Sequence, residues 1–251
     1  MHDSTSHGPL GIDAAPLARR RLLGAAAALP ALGAAAWALV PALAYPAALT
    51  QARRDAMTPD DVIEMMRKGN ERFRRGQLQN RNSLAEQRAS AAGQHPAAVI
   101  LSCIDSRAPA ERIMDLGIGD IFNARVAGNV SNDDILGSME FACKLAGAKV
   151  VLVMGHTACG AIKGAIDNAE LGNLTGLLAK IKPAVAATDY SGLRSAKNYD
   201  FVDRVAKKNV ELTIDAIRKG SSVLAELETK RSIRIAGAMY RLDTGAVDFY
   251  V

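Results

Sequence analysis

Apolar residues are spread along this chain in two rhythms. Continuous runs at 97–101 (AAVIL) and 150–154 (VVLVM) are β-branched and too short for helices, so they read as strands buried on both faces. Residues 120–125 (DIFNAR) and 233–239 (IRIAGAM) are further strand candidates, and 246–250 (AVDFY) reads as an edge strand beside the last of them. Between these runs the spacing turns helical. Thr58-Pro59-Asp60-Asp61 supplies a hydroxyl N-cap, a first-turn proline and two acids against the positive end of the dipole. Val62, Met66 and Phe73 then form an apolar stripe, with Arg67, Lys68, Arg72, Arg74 and Arg75 on the wet side. A second short helix is expected over 80–92. Ser131-Asn132-Asp133-Asp134 caps another that runs through Leu145 and is closed by Gly147, and further helices are expected from about Ala161 and over 201–219.

Short buried strands alternating with helices predict an α/β protein, a mostly parallel β-sheet with flanking helices. Ligands of such sheets bind beyond the carboxyl ends of the strands. Two chemistry-bearing stretches stand at such ends, Cys103-Ile104-Asp105-Ser106-Arg107 after the first strand and His156-Thr157-Ala158-Cys159-Gly160 after the third.

The N-terminus is a separate object. Arg19-Arg20-Arg21 opens an uncharged Ala- and Leu-rich run through Leu49, and Ala42-Leu43-Ala44 offers a small-x-small cleavage site. These are the parts of an export signal, and the paired arginines point to the twin-arginine route. The expected organisation is a cleaved signal over 1–44, an extended linker over 45–57 and one domain over 58–251. The expected location is the periplasm or another exported compartment. The alternative is an uncleaved membrane anchor, which Pro30, Pro41 and Pro46 weaken. Nothing after residue 50 resembles a span, so any membrane association runs through the signal alone.

Composition narrows the function classes. The formal charge of +5 drops to +4 without residues 1–44, which hold three Arg and two Asp. No basic stripe interleaved with aromatics accompanies it, so no nucleic-acid partner is expected. Three cysteines are too few for a disulfide framework, and the count is odd. If Cys103 and Cys159 bind metal, Cys143 is left as a small buried helix residue.

Two thiolates and an imidazole form a ligand set that Zn²⁺ prefers, and three firm ligands leave a fourth position open. Cys103, His156 and Cys159 are the candidate ligands, for one zinc per subunit. Asp105 could close the site as a fourth ligand, or pair with the fork-shaped cation of Arg107 and stay off the metal.

On these residues the chain resembles the β-class carbonic anhydrases over roughly 58–251. The specific pieces are the Cys-x-Asp-x-Arg and His-x-x-Cys pair, the stretch from Gly119 to Asn129, and Gly237 to Val247 near the end. Val126 departs from the family, many members of which carry Asn after the arginine. The resemblance implies zinc on Cys103, His156 and Cys159, an Asp105–Arg107 catalytic dyad, and reversible hydration of CO₂ to bicarbonate and a proton. It also implies substrate contacts from Gln94, from Phe122 as an aromatic pocket wall and from the backbone of Gly160. Arg125 is expected to pair at a dimer interface, and the assembly to be a homodimer or a dimer of dimers. His95 is the only imaginable imidazole shuttle in the mature chain besides His156. Two rival readings stay open: a carbon disulfide or carbonyl sulfide hydrolase on the same fold, and a non-catalytic zinc or thiol-redox protein.

Overall fold

In the computed structural model the protein is described over residues 48–250; the expected signal over 1–44 lies outside them. The first elements are helices α1 (Gln51–Ala56), α2 (Pro59–Arg74) and α3 (Ser83–Ser90), then strand β1 (Ala98–Ser102), α4 (Ala110–Ile113) and β2 (Ile121–Arg125). Helix α5 (Asp133–Glu140) and strand β3 (Val150–His156) follow. Helices α6 (Gly160–Ile166), α7 (Gly172–Ala179), α8 (Lys182–Ala187), α9 (Tyr199–Gly220) and α10 (Ser222–Thr229) lead to the closing strands β4 (Arg234–Tyr240) and β5 (Val247–Tyr250). No helix among the described residues is long and apolar enough to cross a membrane.

The sheet order is β2-β1-β3-β4-β5, parallel throughout except for β5, which runs antiparallel to β4. The expected α/β architecture is therefore present. Alternate residues of the strands sort onto two faces. Val99, Leu101, Cys103, Val151 and Val153 face a core closed by α6 and α9. Ala98, Ile100, Val150, Leu152 and Met154 face a second core closed by α2 and α4. Helix α9 lies close on the sheet because Gly155 has no side chain. A Cβ there would meet Met239 Sδ and Val210 Cγ2 at 2.8 Å.

Three local expectations are corrected. The segment 45–57 is not wholly extended, since 51–56 form α1, capped by the Thr50 hydroxyl. Arg54 of that helix is buried and donates to the Ala146 carbonyl, so this stretch is anchored to the domain. The helix expected through Leu145 is α-helical only to Glu140, and Phe141–Leu145 is a π-helical turn. One wide turn changes which side chains face inward: Ala142 and Cys143 are buried, while Phe141 and Leu145 are exposed. Arg72, expected on the wet face of α2, reaches the buried Asp115 carboxylate at 2.5 Å.

Candidate metal centre

Strands β1 and β3 are parallel neighbours in register, with Ser102 opposite Met154. Their carboxyl ends therefore deliver Cys103 and His156 to the same place, fifty-odd residues apart in sequence. Cys159 joins them across a tight turn whose middle residue, Ala158, is left-handed (φ 55°). The turn is docked on the end of β4, where Thr157 N–H donates to the Tyr240 carbonyl and the Thr157 hydroxyl accepts from Leu242 N–H.

The ligating atoms of Cys103, His156 and Cys159 all lie within 4.8 Å of one another, and all three residues are buried. The two sulfurs are 3.9 Å apart and unbonded. Two sulfurs on one tetrahedral zinc, each at ~2.3 Å, would stand ~3.8 Å apart. His156 Nδ1 lies 2.9 Å from the Thr157 carbonyl, which makes it the N–H side of the ring. Nε2 is thus a lone-pair donor, and it is buried with no protein partner. A buried polar atom without a partner is costly, and a metal ion is the partner this one fits.

Electrostatics point the same way. The Cys103 thiol is drawn well below its ordinary value, first by the hydrogen bond from Cys159 and, against burial, by the Gly128 N–H. Cys159 moves the other way, pushed up by Cys103 and by burial, with the amides of Ala161 and Ile162 opposing. Two adjacent sulfurs hold one negative charge readily and a second only against a cation. The residues present therefore fit zinc.

Asp105 does not stand among the three. Its carboxylate is forked by Arg107, with Nε to Oδ1 at 2.9 Å and Nη2 to Oδ2 at 2.7 Å, and Oδ1 also accepts the Arg107 backbone N–H. The guanidinium holds the carboxyl well below the usual range, against some desolvation. Asp105 Oδ2 is 3.8 Å from His156 Nε2, beside the three candidate ligands but outside their cluster. Arg125 was expected at a dimer interface. Within the chain its guanidinium, still exposed, donates to the carbonyls of Cys103 at 2.9 Å and Asp105 at 2.6 Å.

Gly160 opens α6 directly after Cys159, and a Cβ there would meet nothing within 4 Å. Gln94 and Phe122 are not brought to this site. Gln94 precedes β1 at the end opposite Cys103 and shares a depression with His95 and Thr50. Phe122 pairs in register with Val99, four residues and ~13 Å of strand from Cys103. It packs edge-on against Phe141 over an open groove of about 580 Å³.

Two site-supporting residues are absent from the sequence expectations, and both lie on α9. Asp203 Oδ1 accepts the Ala158 N–H at 2.8 Å. Asn209 Nδ2 donates to the Gly128 carbonyl at 2.7 Å, and Gly128 N–H in turn donates to Cys103 Sγ at 3.4 Å. The available signal was a buried amide inside an apolar helical stripe, which demands a polar partner.

Fold and site together define a parallel-sheet protein with a buried Cys₂His metal centre and an Asp–Arg pair beside it. The sequence model of the family described as carbonic anhydrase matches residues 98–247. Carbonic anhydrase 2 of Mycobacterium tuberculosis is 36% identical over 193 residues, covering 74% of this chain and 90% of the relative. Among solved structures, the β-carbonic anhydrase CafA of Aspergillus fumigatus is 31% identical with a TM-score of 0.58, over 64% of this chain and 78% of that one. A tetrameric β-carbonic anhydrase of Sordaria macrospora shares the fold at 24% identity and a TM-score of 0.56, over 63% and 82%. The chain belongs to the β-class carbonic anhydrase family.

Proposed function

We propose that this chain catalyses the reversible hydration of CO₂ to bicarbonate and a proton, with one zinc per subunit on Cys103, His156 and Cys159. The observation that carries the reading is the convergence of two sulfurs and a bare imidazole nitrogen beside a forked Asp105–Arg107 pair. Zinc, when bound, supplies water made acidic enough to react near neutral pH. The chain supplies orientation. Arg107 keeps Asp105 ionised and held beside the ligand cluster, so the carboxylate can accept a water hydrogen and aim the oxygen lone pair at CO₂. Gly160, without a side chain, leaves its backbone accessible at the edge of the centre. Metal analysis with stopped-flow CO₂ hydration across pH tests the reading. Stoichiometric zinc with no hydration at any pH would overturn it, and a parallel carbon disulfide assay separates the rival substrate.

The working unit is a homodimer, or a dimer of dimers. Phe141 is 49% exposed, and with Phe122 it forms an apolar rim along β2, which among the described residues pairs only with β1 and leaves its other edge open. A second copy covers that rim, and Gln94 and Phe122 then serve the partner's site, since neither reaches its own. The expectation of twin-arginine export is likewise a proposal, supported by Arg19-Arg20-Arg21, the uncharged run and Ala42-Leu43-Ala44. Replacing the three arginines with lysine should trap the protein in the cytoplasm, as read by cell fractionation.

A further inference from the structure

We infer that Asn209 is a positioning residue for the metal centre, acting through the backbone of Gly128 on the Cys103 sulfur. Helix α9 turns a mostly apolar stripe toward the sheet, with Val202, Val205, Ala206, Val210 and Ile214 buried beside Thr213. Asn209 interrupts that stripe at 2% exposure. A primary amide in such a place is costly unless its groups are paired. Its pairing is specific: Nδ2 donates to the Gly128 carbonyl at 2.7 Å, across 81 residues of sequence.

Gly128 has a second attachment, through the peptide on the other side of its Cα. Gly128 N–H donates to Cys103 Sγ at 3.4 Å. Gly128 is left-handed (φ 68°), and a Cβ there would stand 2.5 Å from Ile181 Cδ1, so no other residue fits without displacement. The carbonyl and the N–H lie on either side of the Gly128 Cα, so Asn209 on one side and Ile181 against the Cα leave the residue little room to turn its N–H from the sulfur. An N–H that meets a thiolate draws electron density from it and fixes where it sits. Outer hydrogen bonds of this kind set both the geometry and the donor strength of a metal ligand. Removing the Asn209 amide releases one of the restraints on Gly128, so the residue can shift and its N–H loosen from the sulfur.

This rests on the metal reading above, and its test separates the two. Co²⁺ in place of zinc gives a thiolate-to-cobalt charge-transfer band whose energy reports electron density on sulfur. Asn209→Leu and Asn209→Ser should both move the band to longer wavelength, since an unbonded thiolate gives up charge more easily. Both should also lower metal affinity about 10–100-fold in chelator competition. Val210→Ala, a cavity next door on the same helix, should lower the melting temperature and leave the band in place. Should Asn209→Leu fail to fold, Asn209→Ser is read alone. A band present in the unsubstituted protein and unmoved in the Asn209 variants overturns the relay alone, as does an equal shift in Val210→Ala. No thiolate band in the unsubstituted protein overturns the metal reading and the relay with it.

Discussion

Asp203 and Ala158 are joined by a hydrogen bond of 2.8 Å from the alanine N–H to the aspartate Oδ1, which ties α9 to the turn between two metal ligands. Ala158 sits at φ 55°, a conformation that costs a residue with a Cβ about 1 kcal/mol. The carboxylate helps hold the turn there. Asp203→Ala should therefore lower zinc affinity about 10-fold. Asp203→Asn, whose amide oxygen can still accept, should retain most of it. Equal affinities for the alanine variant and the parent, in competition with a fluorescent chelator, would show that the turn holds itself.

Arg107→Ala should reduce CO₂ hydration about 100-fold or more with zinc still bound, because Asp105 loses the fork that aims it. Full activity in that variant would sink the dyad. The same pair carries a pH signature. Arg107 lowers the Asp105 carboxyl below its ordinary value, so the pair adds stability above that value and loses it as the pH falls toward the folded one. The stability gap between parent and variant should thus be present at neutral pH and close below about pH 4. Urea titrations at several pH values measure it.

Zinc uptake should release close to one proton per ion from the cysteines at about pH 6.5. Of the two thiols Cys103 is the one held below its ordinary value, mainly by the Cys159 hydrogen bond, whereas Cys159 is held above its own and must give up its proton to bind. Metal affinity should accordingly fall as the pH is lowered. Calorimetry in buffers of different ionisation enthalpy counts the protons, and a count near two would mean that the sulfurs do not share charge in the metal-free protein.

Phe122→Asp places a charge on the apolar rim beside Phe141. The variant should sediment as a smaller species than the parent and lose most hydration activity while keeping its fold, because the rim serves the partner's site. An active monomer would refute the shared site.

Much of this was legible in residue order. The β1 and β3 runs are apolar without interruption because both their faces are buried, and a strand of that kind can be recognised from local sequence alone. The caps of α2 and α5 were legible for the same reason, since Thr58 and Asn132 bond amides three residues ahead. Cys103, His156 and Cys159 stood out as metal ligands, the first two at the ends of such strands and the third just across the turn into α6.

The π-helical turn at Phe141–Leu145 was not legible, because its residues suit an α-helix equally well and only packing decides where a turn widens. The placement of Gln94 and Phe122 also needed the fold. Their spacing from Cys103 in sequence is short, yet a strand of fixed rise carries them to the far end of the sheet.

What the sequence by itself determined is local chemistry: which segments are strands, where helices start, and which side chains can hold a metal. Which groups would surround those ligands was decided by tertiary structure. Asp203 and Asn209 lie 45 and 81 residues from their backbone partners, Ala158 and Gly128. Such contacts follow from how closely α9 approaches the sheet over Gly155, a packing outcome that no local pattern encodes.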